Sequence, residues 1–420
     1  MAVPTRRLEV RLHGDRLGVL DRPGSGRYRL TYDAEAVARL GDGSIPLSVS
    51  LPLRAKRFAN AATQPYFDGL LPEGSARRTI ARAFGLSEDN GFGLLGLLGR
   101  DCAGAVTIVP EGAEPPDDLP GIEWLDDEAL ARRIDALKRN PLGVDGQTGR
   151  VRLSLAGVQE KLVVVVGDDG RIGEPLGGAP STHILKPGDA DFPGLVENEA
   201  FCLRVAAHAG LRAARGQVID VGGISRLLIE RFDRIAVDGG IERLHQEDIC
   251  QALGVLPSAK YEAEGGPSLV DVVELLRRLG GPTLARDLND LILLTVVNVL
   301  LGNADANGKN LALLHGRAAA PRLAPAYDIV ATTVYPDLSP DLAMPIGGVS
   351  RPEDVDTAAW RMFAGEAGLG GQLPAIIREQ TERVIAAARR AKDEAEAEGW
   401  HHPVIEDIVA AAVRRARGDS

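Results

Sequence analysis

A long apolar run that ends in a cluster of small polar residues constrains this chain more than any other stretch. The run covers residues 291–301, and the polar cluster Asp305-Ala-Asn-Gly-Lys-Asn310 follows it closely. The run is too short to cross a bilayer, so it predicts a buried core helix. Gly302 and Asn303 predict the end of that helix, because both residue types tolerate a left-handed backbone. The polar cluster is therefore expected to be held against the core by a rigid element.

The polar cluster has the residue spacing of a phosphoryl-transfer loop. In protein kinases an Asp accepts the proton of the substrate hydroxyl, and an Asn that follows after four intervening residues holds magnesium. Asp305 and Asn310 have this spacing, with Lys309 as a candidate positive charge for the transferred phosphoryl group. The alternative interpretation is a polar turn after a helix, which a match of two residues usually is. A nucleotide site elsewhere in the chain is needed to decide between the two.

Length and composition predict a soluble globular protein of two or three domains, since 45% of the 420 residues are hydrophobic and 25% are charged. The three cysteines, Cys102, Cys202 and Cys250, are far apart and odd in number. This spacing indicates a reducing compartment and argues against a disulfide framework or a zinc knuckle. The N-terminus lacks the apolar segment of a secretory signal, so we expect a cytoplasmic protein without membrane association.

The net charge of −11 argues against a dedicated nucleic-acid binder, whose contact surface should be basic. Residues 1–110 contain 15 Lys and Arg against 11 Asp and Glu, a net charge of +4, and the remainder carries −15. The N-terminal part could therefore contact an acidic partner or a DNA backbone. A solvated surface is the simpler interpretation.

The first 110 residues predict a compact α+β domain. Alternating polarity and turn residues predict short antiparallel strands within residues 6–32, and prolines place a strand at 45–53 on a sheet edge. Helices are expected at 74–84 and 91–98 and a strand at 105–109. Linker composition at 114–121 marks a domain boundary.

The next segment contains candidates for a nucleotide site. A hairpin with strands at 151–153 and 162–166 encloses a loop with Gly157, an arrangement with which kinases cover ATP phosphates and which many ordinary hairpins share. A strand at 182–186 ends in Lys186, and a helix at 197–208 follows it. Glu199 is the candidate ion-pair partner of Lys186, with Glu197 second; both also suit a solvated acidic first turn.

The remaining half predicts a helical lobe. The strand at 227–233 could present backbone groups to adenine, and helices are expected from 243 onward. A hairpin formed by 311–315 and 321–324 leads to Asp328, which stands in kinase order for a second magnesium ligand. We therefore predict an α+β, two-lobed protein-kinase-like fold with an extra N-terminal α+β subdomain. The predicted domains are 1–110 for that subdomain, 111–240 for the N-terminal lobe with phosphate loop and hinge, and 241–420 for the helical lobe with the catalytic loop.

Several of these segments, taken as exact strings, resemble the HipA family of serine/threonine protein kinases, the toxins of HipBA-type bacterial toxin–antitoxin modules. The strings are Ser154-Leu-Ala-Gly-Val-Gln-Glu-Lys161, Thr182-His-Ile-Leu-Lys186, Glu230-Arg-Phe-Asp233, Gln246-Glu-Asp-Ile-Cys-Gln251, Lys260-Tyr-Glu262 and Tyr327-Asp328. They span residues 150–332, and the N-terminal domain resembles the family's N-terminal subdomain more loosely.

The resemblance implies a role for each matching residue. Asp305 would be the catalytic base, assisted by Lys309, and Asn310 and Asp328 would hold Mg²⁺ against ATP. Ser154 would be the autophosphorylation site, and its phosphate, with a charge of about −1.5 to −2, would be repelled from the ATP phosphates and lower the activity. The implied ATP-binding residues are Ala156, Gly157, Val158, Gln159, Glu160, Lys161, Lys186, Glu230, Phe232, Asn307 and Tyr327.

The chain departs from the family pattern Asp-x-His-x-Lys-Asn at Asn307, which stands where the histidine belongs. Asparagine keeps a hydrogen-bond donor but cannot become cationic. We expect an active enzyme that loses some charge stabilisation.

The resemblance also implies partners: a HipB-like DNA-binding antitoxin, a translation-related protein substrate such as an aminoacyl-tRNA synthetase, and DNA only weakly or through the antitoxin. Two alternatives stay open, a nucleotide-binding co-repressor scaffold with weak catalysis and a small-molecule kinase.

Overall fold

The computed structural model describes residues 6–23, 27–113, 121–137, 161–238, 240–316 and 320–418. Contacts divide the chain into two compact units. The first unit comprises Met1–Pro187, Asp220–Pro257 and His315–Arg317, and the second comprises Gly188–Ile219, Ser258–Leu314 and Ala318–Ser420. This division by contacts does not test the predicted domain boundaries at 110 and 240, which stay predictions.

An antiparallel sheet organises the N-terminal part of the first unit, and its strands lie in the order β3 (Arg29–Tyr32), β2 (Asp15–Asp21), β1 (Arg7–Leu12) and β4 (Val106–Pro110). Leu8 and Val10 alternate with polar residues along β1 and are fully buried, and helix residues Tyr66 and Phe67 complete the same core. The elements are β1 (Arg7–Leu12), β2 (Asp15–Asp21), β3 (Arg29–Tyr32), α1 (Ala34–Leu40), α2 (Asn60–Gly69), α3 (Gly74–Ala83), α4 (Gly91–Leu98) and β4 (Val106–Pro110).

The prediction of an edge strand at 45–53 is wrong. This segment forms turns, in which Leu51 N–H donates to the Ser48 carbonyl at 3.1 Å and Leu53 N–H donates to the Ser44 carbonyl at 2.7 Å. Pro46 and Pro52 lack the N–H groups that a ladder needs, which favours turns over pairing. The helix α2, which contains Pro65, was not predicted from the sequence.

A second sheet of the first unit contains Lys186. Its strands β5 (Gly121–Trp124), β7 (Ile172–Leu176), β6 (Leu162–Val166), β8 (His183–Pro187) and β10 (Ile224–Glu230) are neighbours in that order, and the pairings described between them are antiparallel. Lys186 lies opposite Leu227 of β10. The elements along the chain are β5 (Gly121–Trp124), α5 (Asp127–Ala136), β6 (Leu162–Val166), β7 (Ile172–Leu176), β8 (His183–Pro187), α6 (Leu195–His208) of the second unit, β9 (Gly216–Val221) across the division, β10 (Ile224–Glu230), β11 (Arg234–Val237), β12 (Gly240–Arg243), β13 (His245–Asp248) and α7 (Ile249–Leu253).

A buried cluster of charges joins the N-terminal part of the first unit to the end of β10. Arg231 donates to both carboxylate oxygens of Asp233, at 2.9 and 2.8 Å, and Arg234 bridges Asp233 at 2.8 Å and Asp101 at 3.1 Å. Burial by itself would raise the pKa of Asp233, but Arg231 and Arg234 lower it well below its usual range. These side chains are nearly inaccessible to solvent, so each charge depends on the others for compensation.

The second unit is mostly helical. The apolar run of residues 291–301 lies in α9, and its leucines and valines are buried, which confirms the predicted core helix. Among the described helices, none combines the length and the apolar character that a bilayer crossing requires. The remaining elements are α8 (Leu269–Leu279), α9 (Leu284–Leu301), β14 (Ala312–His315), β15 (Arg322–Leu323), α10 (Thr357–Glu366), α11 (Leu373–Ala397) and α12 (Pro403–Arg417).

His245, at the start of β13, makes the stability of the first unit depend on pH. Its Nε2 donates to the Leu47 carbonyl at 2.7 Å, and its Nδ1 accepts from Ala105 N–H at 3.4 Å. Burial, and then the neighbouring His315, lower its pKa to about 3. The unfolded chain therefore binds a proton at a higher pH than the folded chain does, and stability falls as the pH drops from about 6.5 toward 3.

We expect His245 to destabilise the protein by about 2 kcal/mol between pH 7 and pH 5. Urea unfolding of the wild type, His245→Gln and the exposed-site control His401→Gln at both pH values measures this term. The control should lose stability as the wild type does, and His245→Gln should lose less. Equal losses in all three proteins would contradict the assignment.

Candidate functional site

The end of α9 fixes the start of the candidate loop. Gly302 adopts a left-handed backbone with φ of 76°, and its N–H donates to the Asn298 carbonyl at 3.0 Å. A Cβ atom here would lie 2.0 Å from Thr333 Oγ1 and 2.7 Å from the Arg415 guanidinium. Only glycine satisfies both the backbone conformation and this close approach. The helix stop predicted at Gly302 is confirmed.

Hydrogen bonds inside the loop converge on Asp305. The Asp305 carbonyl accepts from Asn307 N–H at 2.8 Å and from the Asn310 side-chain amide at 2.7 Å. Asn307 Nδ2 donates to Asp305 Oδ1 at 3.1 Å, and Asn307 Oδ1 accepts from Lys309 N–H at 2.9 Å. Asn307 is 1% exposed, so its side chain belongs to the interior of the loop. Its ATP contact stays a prediction.

A second segment supports the loop from outside its own sequence. Tyr261 donates its hydroxyl to Asp305 Oδ1 at 2.6 Å, and the Lys260 carbonyl accepts from Gly308 N–H at 3.4 Å. The short O–H···O distance is typical of a hydrogen bond to an ionised carboxylate. The Asp305 carboxylate is thus held by side chains from two stretches of the chain.

The segment after β15 brings Tyr327 and Asp328 into the same unit. Tyr327 donates its hydroxyl to the Lys309 carbonyl at 2.7 Å, which ties this segment to the loop. Asp328 has φ of 53°, a left-handed conformation shared by His13 alone among the described non-glycine residues. Non-glycine residues in this region carry backbone strain that often marks functional sites.

Asn198 of α6 anchors the chain just beyond Asp328. Its Oδ1 accepts from Ala331 N–H at 2.8 Å and its Nδ2 donates to the Ala331 carbonyl at 3.1 Å. Thr332 Oγ1 then accepts from Ala304 N–H at 2.9 Å. The stretch that carries Asp328 is therefore fixed at its far end, and the loop that carries Asp305 is fixed to it.

The residues present fit a magnesium ion bound together with a nucleotide. Asn310 and Asp328 offer amide and carboxylate oxygens, the hard ligands that Mg²⁺ takes alongside substrate phosphates. Asn310 is oriented by its nitrogen, which donates to the Asp305 carbonyl, so its Oδ1 is the atom suited to a metal.

The other candidate residues divide between the two units. The first unit holds Lys161 just before β6, Lys186 on β8, and Glu230 and Phe232 at the end of β10. The second unit holds the candidate ion-pair residues Glu197 and Glu199 on α6, with Glu199 buried. The Lys186–Glu199 pair stays a prediction. The candidates Ser154, Ala156, Gly157, Val158, Gln159 and Glu160 lie outside the described residues.

Sequence patterns gave no role to two residues that support the site, Tyr261 at the loop and Asn198 at Ala331 beyond Asp328. Tyr261 was visible within the string Lys260-Tyr-Glu262, but nothing in that string identifies the atom it contacts 44 positions later. Asn198 could be noticed as an amide on a helix next to Glu197 and Glu199. Their contacts depend on tertiary structure.

Comparison with known proteins shows similarity over both halves of the chain. Residues 8–109 match the family described as HipA N-terminal domain, and residues 153–393 match the HipA-like C-terminal domain. A protein of Sinorhizobium fredii named "Putative kinase Y4mE" is 45% identical over 354 residues, 83% of this chain and 82% of the relative. The serine/threonine-protein kinase toxin HipA of Shewanella oneidensis is 32% identical over 364 residues, 83% of this chain and 81% of the relative.

A solved structure extends the similarity to the fold. HipA of Shewanella oneidensis, in a complex with HipB and its operator DNA, has a TM-score of 0.82 and 27% identity, and the match covers 98% of this chain and 96% of that one. This likeness confirms the predicted α+β, kinase-like fold.

We expect Asn307→Ala to lower the free energy of unfolding by about 1–3 kcal/mol, because the buried Lys309 N–H loses its acceptor and Asp305 loses a donor. Asn307→His should retain most of the stability, since a neutral imidazole also offers one donor and one acceptor. Urea unfolding of both variants measures the difference. Equal losses would contradict the role of the Asn307 side chain inside the loop.

Proposed function

The chain belongs to the HipA family of serine/threonine protein kinase toxins, and we propose that it is an active, ATP- and Mg²⁺-dependent protein kinase that inhibits growth. A member of the family is an active kinase only if its catalytic loop is intact. Asn307 replaces the family histidine inside the catalytic loop, so the integrity of that loop decides the question.

The hydrogen-bond network around Asp305 carries the proposal. The Asn307 side chain makes three polar contacts in the interior of the loop: Nδ2 donates to the carbonyl and to the carboxylate of Asp305, and Oδ1 accepts from Lys309 N–H. A neutral histidine offers the same pair of functions, so the substitution leaves the loop satisfied. Asp305, Lys309 and Asn310 remain in order on the loop, and Tyr327 bonds to it directly. The loop therefore keeps the parts that phosphoryl transfer requires.

In the proposed reaction, a serine or threonine hydroxyl oxygen of the substrate attacks the γ-phosphorus of ATP. The bond between that phosphorus and the β,γ-bridging oxygen breaks, ADP leaves, and Asp305 takes the hydroxyl proton. Asn310 and Asp328 would hold Mg²⁺, which neutralises charge on the phosphates when bound. Lys309 lies beside Asn310 and adds a positive charge to a largely buried site, where charge stabilisation is stronger than in water.

Substrate and self-regulation follow the family pattern in this proposal. The acceptor is a translation-related protein, such as an aminoacyl-tRNA synthetase, and Ser154 is the site of autophosphorylation. A phosphate on Ser154 would add about −1.5 to −2 charge to the phosphate loop and repel the phosphates of bound ATP. The repulsion would displace the phosphate loop and lower the activity. The kinase would act in the cytoplasm, where translation takes place.

The proposed partner is a HipB-like DNA-binding antitoxin. The Shewanella protein whose structure matches nearly the whole chain was solved with HipB and operator DNA, and this supports a comparable assembly. The net charge of −11 opposes direct binding of the free chain to DNA. The chain would therefore reach DNA through the antitoxin.

Incubation with ATP and magnesium, followed by intact-mass analysis and peptide mapping, tests the kinase. We expect phosphate on Ser154 in the wild type and none in Asp305→Ala, because loss of the base removes a factor of about 10²–10⁴ from the rate. Asp15→Ala, which removes an exposed partner of Arg39 in the N-terminal sheet, is the matched control and should retain activity.

The same measurement separates the alternatives. Binding of ATP without any phosphotransfer would refute the kinase and favour a nucleotide-binding co-repressor scaffold. Consumption of ATP with small hydroxylated metabolites, but with no protein acceptor and no Ser154 phosphate, would favour a small-molecule kinase.

Gel-shift titration of a HipB-like antitoxin and its operator DNA tests the partner. At about 150 mM salt we expect no shift by the free chain, and a further shift when the chain is added to the antitoxin–DNA complex, because the acidic chain cannot release counterions from DNA by itself. A titration at low salt is the control for residual electrostatic binding. Direct high-affinity binding of the free chain would contradict this assignment.

A further inference from the structure

We propose that Tyr261 is a positioning residue for phosphoryl transfer, because its hydroxyl fixes the Asp305 carboxylate with one oxygen held and the other directed to the acceptor hydroxyl. This inference rests on the proposed function, since it assigns a further residue to the same reaction. Tyr261 is 44 positions away from Asp305 in the sequence, so no spacing within the catalytic loop indicates it.

Two hydrogen-bond donors converge on the same carboxylate oxygen. Tyr261 Oη donates to Asp305 Oδ1 at 2.6 Å, and Asn307 Nδ2 donates to that atom at 3.1 Å. Within the described part of the chain, neither donor bonds to Oδ2. A carboxylate that is held through Oδ1 can no longer rotate freely about its Cβ–Cγ bond. Oδ2 is thereby left as the oxygen that accepts the substrate proton.

Tyr261 can hold the carboxylate because its own backbone is fixed to the loop on both sides. On one side, the Lys260 carbonyl accepts from Gly308 N–H at 3.4 Å. On the other, Glu262 N–H donates to the Ala343 carbonyl at 3.1 Å, and Ala343 N–H donates to the Ala304 carbonyl at 2.8 Å. Ala304 directly precedes Asp305, so these bonds set the distance between the tyrosine and the aspartate.

The Tyr261 carbonyl and ring are held as well. The carbonyl accepts from Glu264 N–H and from Gly266 N–H, each at 2.9 Å, which closes a tight turn after the tyrosine. A Cβ on Gly266 would lie 2.7 Å from the same carbonyl oxygen, so this turn requires glycine. The Lys260 ammonium lies 5.4 Å from the centre of the tyrosine ring, within range of a cation–π contact. The hydroxyl is therefore presented by a rigid element.

This arrangement favours the reaction by orientation. A base has to meet the acceptor proton in a geometry close to that of the transition state, and small misplacements reduce the rate strongly. In this scheme Tyr261 acts on the orientation of Asp305 through the hydrogen bond that its hydroxyl donates, and it has no role in binding phosphate or metal. Loss of the hydroxyl should therefore lower kcat and leave the KM for ATP nearly unchanged.

A purely structural role would give a different result. Gly308 lies between Asp305 and the candidate metal ligand Asn310, and its N–H donates to Lys260. A collapse of the Tyr261 segment would disturb Asn310 and raise the KM for ATP together with any fall in kcat. The split between the two constants separates positioning from collapse.

The experiment compares Tyr261→Phe with Tyr28→Phe in the full chain. Tyr28 also donates its hydroxyl to an aspartate, Asp68 Oδ1 at 2.9 Å, but in the core of the N-terminal sheet. The two variants thus remove the same chemical contact at two places. Initial rates of autophosphorylation, or of phosphorylation of a protein acceptor, with ATP varied, give the maximal rate (kcat) and the KM for ATP of each protein.

For Tyr261→Phe we expect kcat to fall about ten- to a hundred-fold, the range for one hydrogen bond to a charged group, with the KM for ATP within about two-fold of wild type. Tyr28→Phe should retain both constants. A Tyr261→Phe kcat equal to wild type, or a parallel change of kcat and KM, overturns the inference.

A second measurement keeps the inference testable if the wild type transfers no phosphate, an outcome that defeats the proposed function. Urea unfolding of Tyr261→Phe, Asp305→Ala and the double variant forms a double-mutant cycle, in which each single variant removes the hydrogen bond. Non-additive shifts of the unfolding midpoint support the Tyr261–Asp305 contact. Additive shifts overturn it, whatever the activity of the wild type.

Discussion

The left-handed turn at Gly302 is the constraint on which the candidate site depends. It stops a helix whose apolar face is buried throughout, and it does so where Thr333 and Arg415 leave no room for a side chain. Arg415 also donates to the Leu300 carbonyl at 3.0 Å and to Thr333 Oγ1 at 2.9 Å. The last turn of α9, the helix α12 and the segment beyond Asp328 therefore meet at one point. The start of the loop, which lies three residues later at Asp305, is therefore fixed in position.

The loop from Asp305 to Asn310 is stabilised by a network of polar contacts. Its backbone cannot join a helix or a strand, so its N–H and C=O groups need other partners. Asn307 and Asn310 supply them from within, and the Lys260 carbonyl and the Thr332 hydroxyl supply them from elsewhere in the second unit. Small polar residues are required because the space is narrow and every buried polar group has to be satisfied. The same density of contacts that satisfies the backbone also orients the Asp305 carboxylate, so stability and proposed catalysis depend on the same bonds.

The first unit also contains buried polar side chains that depend on one another, in the charge cluster that follows β10. The end of β10 carries Arg231 and Asp233 within the string that resembles a nucleotide hinge, and both are buried in a charge cluster that includes Asp101 from the N-terminal part. Gln246 Nε2 donates to Asp233 Oδ2 at 3.2 Å, so a second string of the resemblance meets the first in this cluster. These side chains are engaged with each other.

The sequence by itself determined those features that depend on residues close together in the chain. The apolar period of α9, the stop at Gly302 and the α+β class follow from hydrophobic burial and backbone conformation, and the structure agrees with them. The exact strings identified the family, since they record residue types in a fixed order. The strand predicted at 45–53 is a series of turns, because Pro46 and Pro52 lack the N–H groups that strand pairing needs, and the helix α2, which contains Pro65, was not predicted. Tertiary structure decided the contacts of Asp305, because the Tyr261 hydroxyl reaches it across 44 positions through bonds made by Gly308 and Ala343. It also gave Asn307 its place inside the loop. A sequence pattern reports which groups are present, but a hydrogen bond depends on distance and angle, and these are set only when the chain is packed.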